Sequence, residues 1–322
     1  MPHDQRIAFT NYPARGLTVL LSAGALVLAG TGAATAAGPA TGSLAAASTA
    51  LGSIATPPTD PAGTGTPRLQ TVDNFRDVAG NDGDGYSVAD GAHMKRGVFY
   101  RSNKLLEPSE SDRTVLDSLG LTTVYDLRTD DEISSQFTGG EDTVPAGAEY
   151  TQIPIDTGDT VAAVMNGEVA SPDAARDHMR NIYTDFVTDE SDRAGFSALL
   201  ASRADSDDPQ LFHCSEGKDR TGWTAMLLQH IAGASDKTIM RDYLLTNDYT
   251  AESIEKTVEL IAGAMGPEAG ENLRPMLGVE TSYLTAGLDQ VTAGYGDIHS
   301  YLIEGLGLDE ATIAALRTKL IA

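Results

Sequence analysis

Residues 213–222 combine the residue types that a nucleophilic attack on an anion requires. They read His-Cys-Ser-Glu-Gly-Lys-Asp-Arg-Thr-Gly, and Cys214 is the only cysteine in the whole sequence. An apolar strand at 209–212 precedes them, and apolar residues at helical spacing follow them. The stretch is therefore predicted to be a turn that ends at a helix N-terminus, where unpaired backbone N–H groups favour an anion.

The surroundings predicted for Cys214 favour its thiolate. The loop amides curl toward the sulfur, Lys218 and Arg220 bring positive charge, and the dipole of the following helix points at the same place. The planar fork of Arg220 matches two oxygens of a phosphoryl group. A nucleophile beside such a clamp predicts cleavage of a phosphate ester through a cysteinyl-phosphate. The alternative is a buried, inert cysteine next to a surface arginine.

The string Cys214-x5-Arg220-Thr221, preceded by His213, resembles the cysteine-dependent protein-tyrosine phosphatases. Its longer form, His-Cys-x-x-Gly-Lys-Asp-Arg-Thr-Gly, is similar to secreted or pathogen-associated bacterial phosphatases that act on phosphotyrosine, phosphoserine or phosphothreonine, and phosphoinositides. The resemblance implies that Cys214 is the nucleophile, Arg220 the phosphate clamp and Thr221 the hydroxyl that stabilises the leaving thiolate. We expect no metal or organic cofactor. The loop residues expected to bind the substrate are Ser215, Glu216, Gly217 and Lys218.

The general acid is less directly indicated. Typical tyrosine phosphatases carry it on a separate Trp-Pro-Asp loop, but the single tryptophan here, Trp223, follows the arginine. We predict Asp219 as the acid, because it lies beside the clamp in sequence, with Asp156 as the runner-up and Asp126 also open. An outward-facing Asp219 that only pairs with a cation is the alternative.

Lys218 predicts a wider substrate range. Many phosphotyrosine-specific loops lack a lysine at this position, whereas lipid phosphatases that resemble this chain have it. An ammonium group there can pair, as a point charge, with a neighbouring phosphate on an inositol ring. The expected substrates are therefore phosphorylated proteins and phosphoinositides.

The elements before the loop predict the frame that positions it. A helix at 111–119 leads to a strand at 122–127, and Asp126-Leu127-Arg128 closes that strand. Ligands of parallel sheets bind beyond the carboxyl ends of the strands. We therefore expect Asp126 and Arg128 either to take part in substrate binding, by supporting the loop at 213–222 (the phosphate loop), or to form a buried structural ion pair. Two further blocks that resemble the same family, 74–80 and 96–102, are placed either near the site or in local ion pairs.

The remaining pattern predicts an α/β fold with a central, mostly parallel sheet flanked by helices, like that of tyrosine phosphatases. A strand at 148–155 runs into an acid-bearing loop, and helices at 172–188 and 191–204 follow. After Gly233 the chain is nearly all helical and forms a large C-terminal helical portion. This portion is either a mobile lid or an outer layer on the sheet. Its predicted helices cover 235–247, 249–264, 270–277, 280–293, 297–304 and 309–321.

The N-terminal region is predicted to lie outside the fold. Arginines precede an apolar run at 17–28, and Ala34-Thr35-Ala36 follows, which is typical of a secretory signal peptide over 1–36. The run is shorter than the roughly 20 apolar residues of a spanning helix. We expect a secreted protein without a stable membrane anchor. Residues 37–66 are predicted to be a flexible linker, and 67–322 a single catalytic domain.

Charge and cysteine content limit the function classes. The net charge of −24, from 22 basic and 46 acidic residues, argues against nucleic-acid binding. One cysteine cannot form an internal disulfide. Two other classes stay open: a rhodanese-like sulfur transferase, which also uses a loop cysteine, and a non-catalytic phospho-ligand binding module, which would have lost the cysteine or the arginine. The sequence indicates neither the oligomeric state nor the physiological substrate.

Overall fold

The computed structural model describes residues 66–322, except for 82, 136–138, 159 and 205–207. The predicted signal peptide and the predicted linker up to residue 65 lie outside the described residues. So does Asp159, at the end of the acid-bearing loop. In the described part, no helix is both long and apolar enough to cross a membrane.

One sheet organises the described chain. Its strand order is β1-β2-β5-β3-β4, with β1 antiparallel to β2 and every other neighbouring pair parallel. The prediction of a mostly parallel sheet is confirmed. The five strands are β1 (Arg76–Asp77), β2 (Phe99–Ser102), β3 (Thr123–Asp126), β4 (Glu149–Gln152) and β5 (Gln210–His213).

The central strands are buried on both faces because successive apolar side chains point to opposite sides. In β5, Leu211 packs into a small cluster with Phe75 and Leu116, whereas Phe212 packs into the main core. Since β5 lies between β2 and β3, it delivers the phosphate loop at the middle of the sheet's carboxyl edge.

Helices cover the sheet, and the large C-terminal helical portion is confirmed. The sequence did not predict two short helices, α2 and α3, and it placed the end of β4 too late. Both helices are too short for a hydrophobic period to show. The helices are α1 (Glu110–Ser118), α2 (Asp130–Ser134), α3 (Thr160–Met165), α4 (Pro172–Thr188), α5 (Glu190–Arg203), α6 (Arg220–Ala232), α7 (Asp236–Tyr249), α8 (Ala251–Met265), α9 (Pro267–Leu277), α10 (Thr281–Tyr295), α11 (Ile298–Ser300) and α12 (Glu310–Leu320).

Helix α6 is the central helix of the fold. Nearly all of its residues are buried, so it has no polar face, as is typical of a helix enclosed by other elements. Trp223 on its first turn packs edge-on against Tyr183 of α4 and Tyr301. This packing fixes the N-terminus of α6, and therefore the end of the phosphate loop, relative to α4.

Candidate active site

The candidate nucleophile lies at the junction of β5 and the phosphate loop. Cys214 is 2% exposed, and the hydroxyl of Thr221 donates a hydrogen bond to its Sγ at 3.2 Å. Thr221 is on the first turn of α6, so the positive end of the helix dipole adjoins the sulfur. The hydroxyl proton and the helix end both bring positive partial charge to the sulfur.

Arg220 is fixed through one edge of its guanidinium group. Nη1 donates to the carbonyl oxygens of Leu127 at 3.0 Å and Ile155 at 2.9 Å, and both Nη atoms bond the carboxylate of Glu132 at 2.7 Å. Burial alone would lower the pKa of Arg220, but the carboxylate of Glu132 raises it well above its ordinary value. Nε is buried and has no hydrogen-bond partner among the described residues. The N–H group of Nε is thus a fixed donor on a charged guanidinium and can bind an oxyanion.

Glu132 connects the clamp to the loop. It accepts a hydrogen bond from Ser215 Oγ at 2.6 Å, in addition to the two from Arg220. Burial alone would raise the pKa of Glu132, but Arg220 and Ser215 outweigh burial and lower it to about 2. Sequence reasoning missed this residue. The available signal was the capping box that Thr129 and Glu132 form at the start of α2.

Gly217 must be a glycine, because its φ is +64° and a Cβ there would lie 2.3 Å from the carbonyl oxygen of Ser102. Its own carbonyl oxygen accepts hydrogen bonds from Asn74 Nδ2 at 2.6 Å and Arg101 Nη2 at 2.8 Å. The two blocks that contain Asn74 and Arg101 therefore lie directly against the phosphate loop. Asp242 neutralises Arg101 at 3.4 Å from the other side.

Asp126 and Arg128 lie beneath the loop. Arg128 Nη2 contacts the carboxylates of Asp126 at 2.7 Å and Asp142 at 2.8 Å, and the side chains of Asp126 and Arg128 are 0% and 1% exposed. Of the two expectations for these residues, the structure contains the buried ion pair, and a role in substrate binding stays a prediction. They form an ion pair that supports the loop through His213, whose Nε2 lies 3.1 Å from Asp142.

The same network contains three side chains that could ligate a metal ion. Ligand atoms of Asp126, Asp142 and His213 all lie within 4.8 Å of one another. Arg128 already contacts both carboxylates, so the set has its positive charge in place. Burial alone would lower the pKa of His213, but the two carboxylates raise it. The cluster fits a buried ion-pair network better than a cation site.

Asp219 and Asp156, two of the three candidates for the general acid, lie on segments that adjoin Arg220, whereas the third, Asp126, is buried in its ion pair with Arg128. Asp219 directly precedes α6, its Oδ1 accepts a hydrogen bond from the hydroxyl of Tyr183 at 3.0 Å, and its side chain is 16% exposed. Asp156 is exposed and accepts a hydrogen bond from the backbone N–H of Gly158 at 2.9 Å. Asp219 is thus directly next to Arg220 in the chain, whereas the carboxylate of Asp156 is bonded within its own turn.

Two other loop side chains differ in their surroundings. The ammonium of Lys218 donates to the carbonyl oxygens of Met276 and Gly278 at the end of α9, and the side chain is only 6% exposed. These contacts differ from the predicted pairing with a ring phosphate, which stays a prediction. Glu216 lies 3.9 Å from Lys104, and burial raises its pKa to about 7.

Comparison with known proteins identifies the family. The model of the tyrosine phosphatase family matches residues 67–322. The chain belongs to this family. One relative of the phosphatase, named as a tyrosine-protein phosphatase in Cupriavidus necator, is 30% identical over 248 residues, which are 76% of this chain and 85% of the relative.

Two further relatives of the phosphatase carry similar names. The triple specificity protein phosphatase PtpB of Mycobacterium tuberculosis is 27% identical over 279 residues, 77% of this chain and 96% of PtpB. A tyrosine-protein phosphatase of Nostoc commune is 28% identical over 232 residues, 69% of this chain and 74% of the relative. The expected family and reaction class, hydrolysis of phosphoric monoesters, are confirmed.

The contacts of Lys218 change what its removal should do to this phosphatase. We expect Lys218→Ala to lower turnover of phosphotyrosine and phosphoinositide by a similar factor, because the ammonium ties the loop to α9. Hydrogen bonds from a charged group contribute about 1.5–3 kcal/mol each, so thermal unfolding should also shift downward. Lys104→Ala, which removes a less buried lysine at the loop, is the control for lost charge. A loss confined to phosphoinositide turnover would contradict this account.

Proposed function

We propose that this phosphatase hydrolyses phosphotyrosine in proteins, with phosphoserine, phosphothreonine and phosphoinositides as further substrates. The observation that carries the reaction is that Nε of Arg220 has no partner among the described residues and belongs to the same loop as Cys214, whose sulfur Thr221 contacts. A nucleophile and an N–H group that can donate to an oxyanion are thus held in one loop.

In the first step, the thiolate of Cys214 attacks phosphorus. The sulfur–phosphorus bond forms and the bond from phosphorus to the leaving oxygen breaks. Arg220 and the loop N–H groups stabilise the equatorial oxygens, and Asp219 gives its proton to the leaving oxygen.

In the second step, water attacks the cysteinyl-phosphate. Asp219 takes a proton from the water, the sulfur–phosphorus bond breaks, and inorganic phosphate leaves. Thr221 donates to the sulfur as it regains its negative charge. The enzyme returns to its starting protonation state, so no oxidant, reductant or second substrate other than water is consumed.

The substrate range rests on the relatives and on the loop. One relative is named a triple specificity protein phosphatase. The loop keeps its lysine, but that ammonium group is bound to α9, so phosphotyrosine is the substrate the site favours first. We expect protein substrates to reach the site outside the cell, after removal of residues 1–36, which have the features of a signal peptide.

A phosphate-release panel tests the proposal. Phosphotyrosine, phosphoserine and phosphothreonine peptides and a phosphoinositide are each given to the wild-type protein and to Cys214→Ser. Release from phosphotyrosine that depends on Cys214 supports the proposal. Thiocyanate formed from thiosulfate and cyanide, without phosphate release, would indicate a sulfur transferase instead. Binding without release in every arm would indicate a phospho-ligand binding module.

The general acid has its own test. We expect Asp219→Asn to slow phenyl and alkyl phosphates by about 10²-fold or more, while barely affecting an activated aryl phosphate that leaves without a proton. The measurement is kcat across a series of leaving groups. Asp156→Asn is the matched control, because it removes the same carboxylate charge from the neighbouring turn. The selective pattern in Asp156→Asn, or uniform slowing in Asp219→Asn, would move the role away from Asp219.

A further inference from the structure

Two buried tyrosines lie in a row behind Asp219. Tyr183 of α4 is 0% exposed and Tyr243 of α7 is 1% exposed. The hydroxyl of Tyr243 donates to that of Tyr183 at 2.7 Å, and the hydroxyl of Tyr183 donates to Asp219 Oδ1 at 3.0 Å. Residues that are far apart in sequence thus form one chain of hydrogen bonds that ends on Oδ1 of Asp219.

The direction of these hydrogen bonds is set by the chemistry of the groups. A tyrosine hydroxyl has one proton to donate. The pKa values of both tyrosines are raised well above the ordinary value by burial and by the negative charge of Asp219. Both hydroxyls therefore remain protonated donors, and the proton of Tyr183 is available to Asp219 because Tyr243 supplies its own.

Aromatic packing holds the Tyr183 ring in place. The ring meets those of Trp223 and Tyr243 edge-on, at centroid distances of 6.4 and 6.0 Å, and lies 5.3 Å from Phe186. Gly222 leaves room for this arrangement, since a Cβ there would lie 3.2 Å from the ring of Tyr243. A side chain enclosed in this way does not turn its hydroxyl elsewhere.

The two oxygens of Asp219 have different surroundings as a result. Oδ1 accepts the bond from Tyr183, whereas Oδ2 lies 3.5 Å from the ammonium of Lys218. We infer that Tyr183 is a positioning residue for the proton-transfer step. It fixes Oδ1 and thereby the carboxyl plane, so that Oδ2 is left to carry the transferred proton. The inference rests on the proposed role of Asp219 as the general acid.

A leaving-group series separates positioning from ordinary core packing. In Tyr183→Phe we expect the ratio of phenyl phosphate turnover to activated aryl phosphate turnover to fall roughly tenfold, the size expected for one lost hydrogen bond to a charged group. KM should change little, because Tyr183 acts on the proton and not on the phosphate. Tyr243→Phe should lower the same ratio by a smaller factor, since it acts only through Tyr183.

Tyr301→Phe is the matched control. Tyr301 is a buried tyrosine of the same aromatic cluster, and its hydroxyl donates to the carbonyl oxygen of Phe186 at 3.0 Å. Tyr301→Phe loses one buried hydrogen bond, and this bond does not involve Asp219. We expect a lower melting temperature, comparable to that of Tyr183→Phe, with an unchanged leaving-group ratio.

Asp219→Asn, measured in the same series, distinguishes the proposed acid role of Asp219 from the positioning role of Tyr183. If Asp219→Asn shows no leaving-group selectivity, the proposed acid is wrong. If it shows selectivity and Tyr183→Phe slows all leaving groups equally, only the positioning role is wrong. The double variant of Tyr183→Phe and Asp219→Asn should be no more selective than Asp219→Asn alone, because one residue acts through the other. An additive double variant would also overturn the inference.

Discussion

Cys214→Ser should eliminate turnover of every phosphate ester, with a loss of about 10⁴- to 10⁶-fold, the range seen when a catalytic unit loses an essential member. A serine hydroxyl is not ionised at neutral pH and is therefore a much weaker nucleophile than a thiolate. Thr221 contacts the sulfur as a donor, and Arg220 stabilises only negative charge. Phosphate release from a phosphotyrosine peptide measures the loss.

The serine variant should keep its fold and still bind inorganic phosphate, because Arg220, Glu132 and the loop amides are unchanged. Isothermal calorimetry with inorganic phosphate checks this. A covalent intermediate gives an independent check: since Cys214 is the only cysteine, a phosphoryl group on sulfur in rapidly quenched wild-type enzyme can have only one location. Appreciable turnover in the serine variant would rule out the cysteinyl-phosphate.

Arg220→Lys should cost roughly 10³-fold or more in kcat/KM, the lower end of what an arginine that stabilises phosphoryl transfer contributes. Lysine keeps the charge but loses the fork. One ammonium group cannot bond the carbonyl oxygens of Leu127 and Ile155, the carboxylate of Glu132 and a phosphate at once. Steady-state kinetics on an activated aryl phosphate measures the loss without involving the general acid.

Replacing Arg220 should also change how the stability of the fold depends on pH. The pKa of Glu132 is lowered from its ordinary value of 4.5 to about 2, so its ion pair stabilises the fold fully above about pH 4.5 and loses that contribution as the pH falls through about 2. Arg220→Lys should weaken this contribution. Glu132→Gln should abolish it, because an amide carries no charge to lose as the pH falls, and it leaves Arg220 buried without its charged partner. An acid-unfolding midpoint that is unchanged in Glu132→Gln would contradict this account.

The sequence predicted the parts of the site that are local in the chain. Cys214 and Arg220 belong to one turn between a strand and a helix, and the geometry of that turn follows from its flanking elements. Glu132 was missed because α2 is too short to show a period. Tyr183 lies within the helix predicted at 172–188, but the partner of its hydroxyl depends on how α4 meets the loop.

The contacts of Lys218 could not be predicted from the sequence either. Its place in the loop suggested that the ammonium contacts the substrate. The ammonium instead reaches the carbonyl oxygens at the end of α9, a favourable position for a cation at the negative end of a helix. Only the tertiary arrangement of the C-terminal helices supplies these partners.

The contact between Asn74 and Gly217 has a consequence for where the chain can be cut. Asn74 precedes β1, and it lies 143 residues before the loop carbonyl that it bonds. Proteolysis after residue 80 would leave the complete Cys214 to Arg220 motif on a chain that still contains most of the core. It would nevertheless remove the edge strand and one of the two donors that keep the Gly217 carbonyl turned away from the anion. We therefore expect proteolysis at this edge to inactivate the enzyme although Cys214 itself is unchanged.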